Sequence, residues 1–220
     1  MQEIIIIITA FLASGLTFFS GFGLGTILLP VFAIFFPVEI AVALTAIVHF
    51  LNNVFKFFLV GKSIDKSILW RFGIPAIISA FVGAFVLNYL SDLKPFHEYQ
   101  LLGKTFQMTF IKIIIAALLI FFALFDLIPK LKNLKFNKKY LPIGGFISGF
   151  FGGLSGHQGA LRSAFLIRSG LSKESFIATG IAIACLIDVT RLSVYAENIV
   201  KNHETLNWNL VLIATLAAFA

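Results

Sequence analysis

"GGFISGFFGGLSGHQGALRSAFL", residues 144–166, decides how the chain is read. It is apolar enough to enter a membrane, yet seven glycines run through it, and His157, Gln158 and Arg162 follow one another closely. Glycine in a helix interior costs ~1 kcal/mol relative to alanine, and a glycine cluster around Ser and His is a place where a helix breaks. In hydrocarbon, a break leaves N–H and C=O groups unpaired, which is tolerated only where they face protein or a watery cavity. The stretch is therefore expected to line a cavity. The competing reading is that the glycines only let helices pack closely, as small residues do throughout membrane proteins. That reading leaves the three polar side chains without a purpose.

The surroundings agree with a membrane setting. The chain has 220 residues, is 59% hydrophobic with a mean hydropathy of +0.99, and carries 12% charged residues where a soluble domain has about 25%. Apolar runs lie at 4–22, 27–36, 39–60, 70–90, 106–128, 141–154, 160–167, 175–196 and 208–220. Most of the longer ones reach the ~20 residues that a helix needs to cross the bilayer. "IIIIITAFLA" and "IKIIIAALLIFFALF" show no apolar/polar alternation, which excludes a barrel and leaves helices. The expected fold is an all-α polytopic membrane protein, with the lipid bilayer as partner.

The net charge of +7 is placed at membrane flanks, so it signals orientation and anionic headgroups rather than nucleic acid. "DLIPKLKNLKFNKKYLP" holds Lys130, Lys132, Lys135, Lys138 and Lys139, and the loop near residue 62 holds Lys62, Lys66 and Arg71. Both are expected on the cytoplasmic side. The one cysteine, Cys185, excludes an internal disulfide, and His49, His97, His157 and His203 show no metal-ligand spacing. No cofactor is expected. "MQE" before the first apolar run carries no Lys or Arg, so that run reads as a retained span rather than a signal peptide.

The chain also repeats itself. Residues 12–36 laid over 146–170 match Gly15 to Gly149 and Gly25 to Gly159, and further on Thr45 to Thr179. With a slip of one residue, Asn53 and Lys56 fall on Asp188 and Arg191, a polar residue and a cation on one face of each long helix. Two internal repeats are expected, each with a glycine-broken first helix followed by long transmembrane helices: 1–128, a basic cytoplasmic loop at 129–140, and 141–220. Residues 27–36 either belong to a broken span, giving four crossings and parallel copies, or cross alone, giving five and inverted copies. The second copy stops after "WNLVLIATLAAFA", which as a helix reaches only ~20 Å, so a truncated chain is expected, the alternative being a short form completed by oligomerisation.

"SGFGLGTILLP" (20–30), "VGKSID" (60–65) and the opening stretch, set on either side of a basic loop, resemble the sulfite exporter family of the TauE/SafE type over most of the chain. The resemblance implies a multi-pass prokaryotic inner-membrane carrier of small organosulfur or sulfur-oxyanion substrates such as sulfite or sulfonates. The first copy has "GLGT" where members carry a denser glycine triplet, and "GHQGALRS" is more polar than usual. Both departures bear on substrate.

Discontinuous helices at matching places in two repeats point to a transporter's binding site, and helix starts suit an anion. The candidate substrate-binding residues are Arg162, His157, Gln158, Ser155, Gly25, Gly159, His49, Asn53, Arg191 and Asp188. Arg162 is the first choice for the anion, its guanidinium fork matching a pair of oxyanion oxygens; a pair with Asp188 is the alternative. Asp188 and Arg191, one turn apart, are equally a structural pair. His49, Asn52 and Asn53 share a largely apolar helix; either they line the cavity or His49 is a hydrogen-bonded interior histidine. His157 either caps the second half-helix or carries a coupled proton. A non-transporting scaffold or an anion channel is the competing function. No pair of catalytic carboxylates or nucleophile with a base appears, which disfavours an enzyme.

Overall fold

The computed structural model describes residues 2–20, 23–101, 103–132, 134–201 and 208–219. Gly21 and Phe22 of the first break and His203 lie outside the described residues. Ten α-helices and one two-stranded antiparallel hairpin make up the described chain. In order, α1 (Gln2–Ser20) leads to α2 (Leu24–Phe35), α3 (Val38–Val60) and α4 (Lys66–Ser91). The hairpin of β1 (His97–Leu101) and β2 (Lys104–Met108) then precedes α5 (Phe110–Leu127) and the short α6 (Pro129–Lys132). The remainder is α7 (Leu141–Ser155), α8 (Gly159–Leu166), α9 (Lys173–Lys201) and α10 (Trp208–Phe219).

Three stretches, Val38–Ser63, Lys66–Ser91 and Lys173–Glu197, are each long and apolar enough to cross a membrane. Large apolar side chains stand uncovered around the bundle, among them Phe58 at 82%, Leu127 at 75% and Ile78 at 60% exposure. A soluble monomer rarely leaves so much contiguous apolar surface bare, whereas lipid is its natural solvent. The half-helices α2 and α8 have 12 and 8 residues, about 18 Å and 12 Å of rise, so neither crosses a ~30 Å core alone.

Helix boundaries follow local chemistry. Asp65 caps α4, its Oδ1 accepting from Ile68 N–H at 2.9 Å, and Thr109 caps α5 by accepting from Lys112 N–H at 3.4 Å. Two expectations need correction. The run 106–128 is not one helix: Phe106–Met108 pair in β2 and the helix begins at Phe110, because short alternation within 97–108 favours strands over the flanking apolar runs. Lys66 and Arg71 sit not in a loop but in the opening turns of α4, started there by the Asp65 cap.

The closest packing joins α4 to α7. Gly145, Gly149 and Gly153 recur every four residues on α7, and a Cβ on each would collide with the carbonyls of Phe72, Ala76 and Ala80, also four apart on α4. Gly83 of α4 meets the Phe150 carbonyl in the same way. This is the backbone-to-backbone contact that small residues permit in membranes. The packing reading thus holds for these glycines, while the break is made by others. At the other end of the bundle α10 lies on α1, where Ser14 Oγ and Asn52 Nδ2 both donate to the Ala218 carbonyl. Asn52 therefore faces α1 and α10 and does not take up the cavity-lining alternative. Between these pairs, α3 crosses α9.

Candidate functional site

Each broken helix turns on a glycine in the left-handed region. Gly23 (φ 119°) precedes α2 and Gly156 (φ 83°) ends α7, and a residue with a Cβ would be strained at either place. The two breaks meet: a Cβ on Gly25 would lie 3.5 Å from the Gly156 carbonyl and 3.8 Å from the Thr45 methyl. Between them lies a small cavity of ≈ 20 Å³, walled by Gly23, Gly25 and Thr26 of the first break and by His157, Gly159 and Arg162 of the second. His49 of α3 and Phe122 of α5 close its sides.

The first intrahelical bonds are Ile27 N–H to Gly23 O at 3.1 Å in α2 and Arg162 N–H to Gln158 O at 3.0 Å in α8. The N–H groups ahead of them, at residues 24–26 and 159–161, have no acceptor within their own helices. Both helices therefore turn their positive ends, each worth about half an elementary charge, toward the same space.

Behind this wall sits a buried ionic cluster. Asp188 of α9 is fully buried; its Oδ1 accepts from Arg191 Nε at 2.9 Å and Gln158 Nε2 at 3.2 Å and is ion-paired with Arg191 Nη2 at 2.7 Å. Its Oδ2 lies 2.6 Å from His49 Nδ1, a bond that runs from α3 to α9. Asn53 Nδ2 reaches His49 at 3.1 Å and also donates to the His49 carbonyl at 2.9 Å. Arg162 does not pair with Asp188 directly: its Nη1 donates to Gln158 Oε1 at 3.4 Å, and Gln158 relays to Asp188. Two arginines against one carboxylate leave one positive charge over, before either histidine is protonated.

His157 is 4% exposed; its Nδ1 lies 3.0 Å from Ser155 Oγ and its ring stacks on Phe122 at 5.0 Å between centroids, 6° from parallel. Its Nε2, and Nη1 of Arg191, are buried with no hydrogen-bond partner among the described residues. Buried polar atoms ordinarily find partners, so the ring nitrogen that His157 leaves over at the cavity is available to a ligand.

The candidate residues thus divide by position. Gly25, His49, His157, Gly159 and Arg162 border the cavity; Ser155, Gln158, Asn53, Asp188 and Arg191 stand behind it and hold the others. Gly156, inside the opening stretch, was not singled out, although a bulkier residue there would come within 2.6 Å of Arg191 Nη1. Phe122 could not be found from sequence, because nothing distinguishes it from the other aromatics of its run. Among the described residues no group of three or more His, Cys, Asp and Glu side chains could hold a metal ion.

A multi-pass helical membrane protein with a polar, net-positive cavity where two broken helices meet is the class that this fold and site define. The chain belongs to the sulfite exporter TauE/SafE family, whose model matches residues 6–220. No curated protein and no solved structure matches it.

Proposed function

We propose that the protein is a secondary carrier that exports a small sulfur oxyanion or sulfonate across a prokaryotic plasma membrane, with the anion held between the two helix breaks. The observation that carries this reading is the convergence of two helix N-termini, Arg162 and the unpartnered His157 Nε2 on one cavity. Such a site stabilises negative charge without a metal or a nucleotide. The two-repeat reading is supported by exchange of partners: the fourth helix of the first copy packs on the broken helix of the second (α4 on α7), and α10 packs on α1 in return. Alternating access then amounts to motion of one copy against the other, with the α3–α9 crossing as the seam.

The scaffold reading has one observation in its favour, since Gly145, Gly149 and Gly153 do serve packing. It does not account for Gly23, Gly156 or Arg162. Charge-assisted hydrogen bonds contribute about 1.5–3 kcal/mol, so Arg162→Ala is expected to lower saturable sulfite flux in proteoliposomes by roughly 10- to 100-fold. Unchanged flux in that variant would assign Arg162 to structure, and no flux of any anion through the intact protein would sink the carrier.

His49 also borders the cavity, and the contact of its Nδ1 with Asp188 Oδ2 holds α3 against α9 there. His49→Gln is expected to lower saturable sulfite flux in proteoliposomes; flux equal to that of the intact protein would take His49 out of the working wall of the cavity.

A further inference from the structure

Between the far end of α4 and the start of α5 lies the hairpin, whose register pairs His97 with Met108, Glu98 with Gln107, Tyr99 with Phe106 and Gln100 with Thr105. Because side chains alternate across a strand, His97, Tyr99, Phe106 and Met108 share one face, and Glu98, Gln100, Thr105 and Gln107 share the other. One face carries the rings of His97, Tyr99 and Phe106 with Met108, and the Leu101–Lys104 pair falls in phase with it; the other is wholly polar, with Gln107 Nε2 donating to Glu98 Oε1 at 2.7 Å. On the first face the rings form a continuous row, His97 on Tyr99 at 6.5 Å and Tyr99 on Phe106 at 5.5 Å, both close to parallel. Among the described residues nothing covers it fully: Tyr99 is 42% and Phe106 40% exposed.

We infer that this hairpin lies flat on the bilayer surface, with the Tyr99/Phe106 face sunk among headgroups and upper acyl chains and the Glu98/Thr105 face in water. The position supports it: both ends of the hairpin join helices whose last and first turns, at Tyr89 and Phe110, expose large rings to lipid. Phe96 beside β1 meets Phe110 of α5 with ring centroids 5.0 Å apart, and both rings are exposed where the helix joins the hairpin. Aromatic rings favour this depth because their apolar bodies and polar edges match the interface. Lys94 and Lys112 flank the hairpin, and Lys112 Nζ donates to the Gln107 carbonyl at 2.8 Å, placing positive charge at headgroup level. The face is too small for a stable protein partner: two rings exposed to this extent offer roughly 200 Å², against ~800 Å² per partner in a standard interface.

The test uses the whole chain carrying Cys185→Ala, with single substitutions Glu98→Cys, Tyr99→Cys, Thr105→Cys and Phe106→Cys labelled with a nitroxide in phosphatidylethanolamine/phosphatidylglycerol vesicles. Collision with oxygen reports lipid, and collision with a water-soluble nickel chelate reports water. Labels at 99 and 106 are expected to lose nickel collisions and gain oxygen collisions, and labels at 98 and 105 to do the reverse. Equal nickel access at all four sites would overturn the inference by placing the hairpin in water. Shielding of 99 and 106 from both reagents, with dipolar broadening between labels, would overturn it in favour of a second copy on that face. All four positions are exposed, so labelling leaves the fold intact, and the two sites on each face check one another.

Discussion

Asp188→Ala is expected to destabilise the protein by about 3–5 kcal/mol, the usual consequence of removing one partner of a buried ion pair. Asp188 is 0% and Arg191 1% exposed, so the guanidinium cannot turn to water when its carboxylate is gone. His49 and Gln158 lose their acceptor at the same moment, which unties α3 and α8 from α9. For a chain of this size the loss corresponds to a fall in Tm of roughly 6–20 °C, readable from thermal unfolding in detergent. Asp188→Asn keeps an oxygen for Gln158 and Arg191 and should fall between the two. The double variant Asp188→Ala/Arg191→Met should recover part of the loss, because it leaves no unpaired charge. A Tm for Asp188→Ala equal to that of the unaltered protein would show that Arg191 finds another counter-charge and that the cluster does not hold the seam.

The ionic cluster also marks the limit of what the sequence could reveal. Asp188 and Arg191 are three residues apart, and helical periodicity alone puts them on one face. His49 lies 139 positions away, and no local pattern connects it to Asp188; that contact exists because α3 crosses α9. The spans were legible because each must be apolar for about 20 residues in hydrocarbon, and the second break because polar side chains interrupt it. The hairpin was not, since five-residue strands beside "FIKIIIAALLIFFALF" are absorbed into the apolar run when it is read by hydropathy. Arg162 was read as following the break and as a contact for the anion, with a direct pair to Asp188 as the alternative; the structure shows no such direct pair. Gln158 intervenes, and a relay through an amide has no signature in spacing.

The glycines show how one residue type can serve two ends within a single stretch, and they furnish the other large effect. Gly149 falls on Gly15 when residues 12–36 are laid over 146–170, yet their surroundings differ. A Cβ on Gly149 would strike the Ala76 carbonyl and Ser79 Oγ and come within 2.6 Å of Ala76 Cα, whereas among the described residues nothing lies within 4 Å of one on Gly15. The obstacles at Gly149 are mostly backbone, which cannot rotate aside as a side chain can, and Gly145 and Gly153 on either side hold the two helices at the same separation. Overpacking a fitted core costs about 1–3 kcal/mol and at times more. Gly149→Leu is expected at or above the top of that range, because α7 must lift from α4 along its length and carry Gly156 and the cavity wall with it. Gly15→Ala, by contrast, should stabilise α1 by about 0.5–1 kcal/mol through the lower backbone entropy of alanine. Thermal unfolding and sulfite flux measured on both variants decide the matter. A Gly149→Leu protein with the Tm and flux of the original would mean that α4 and α7 are not packed backbone to backbone, and the position of the second break would lose its support.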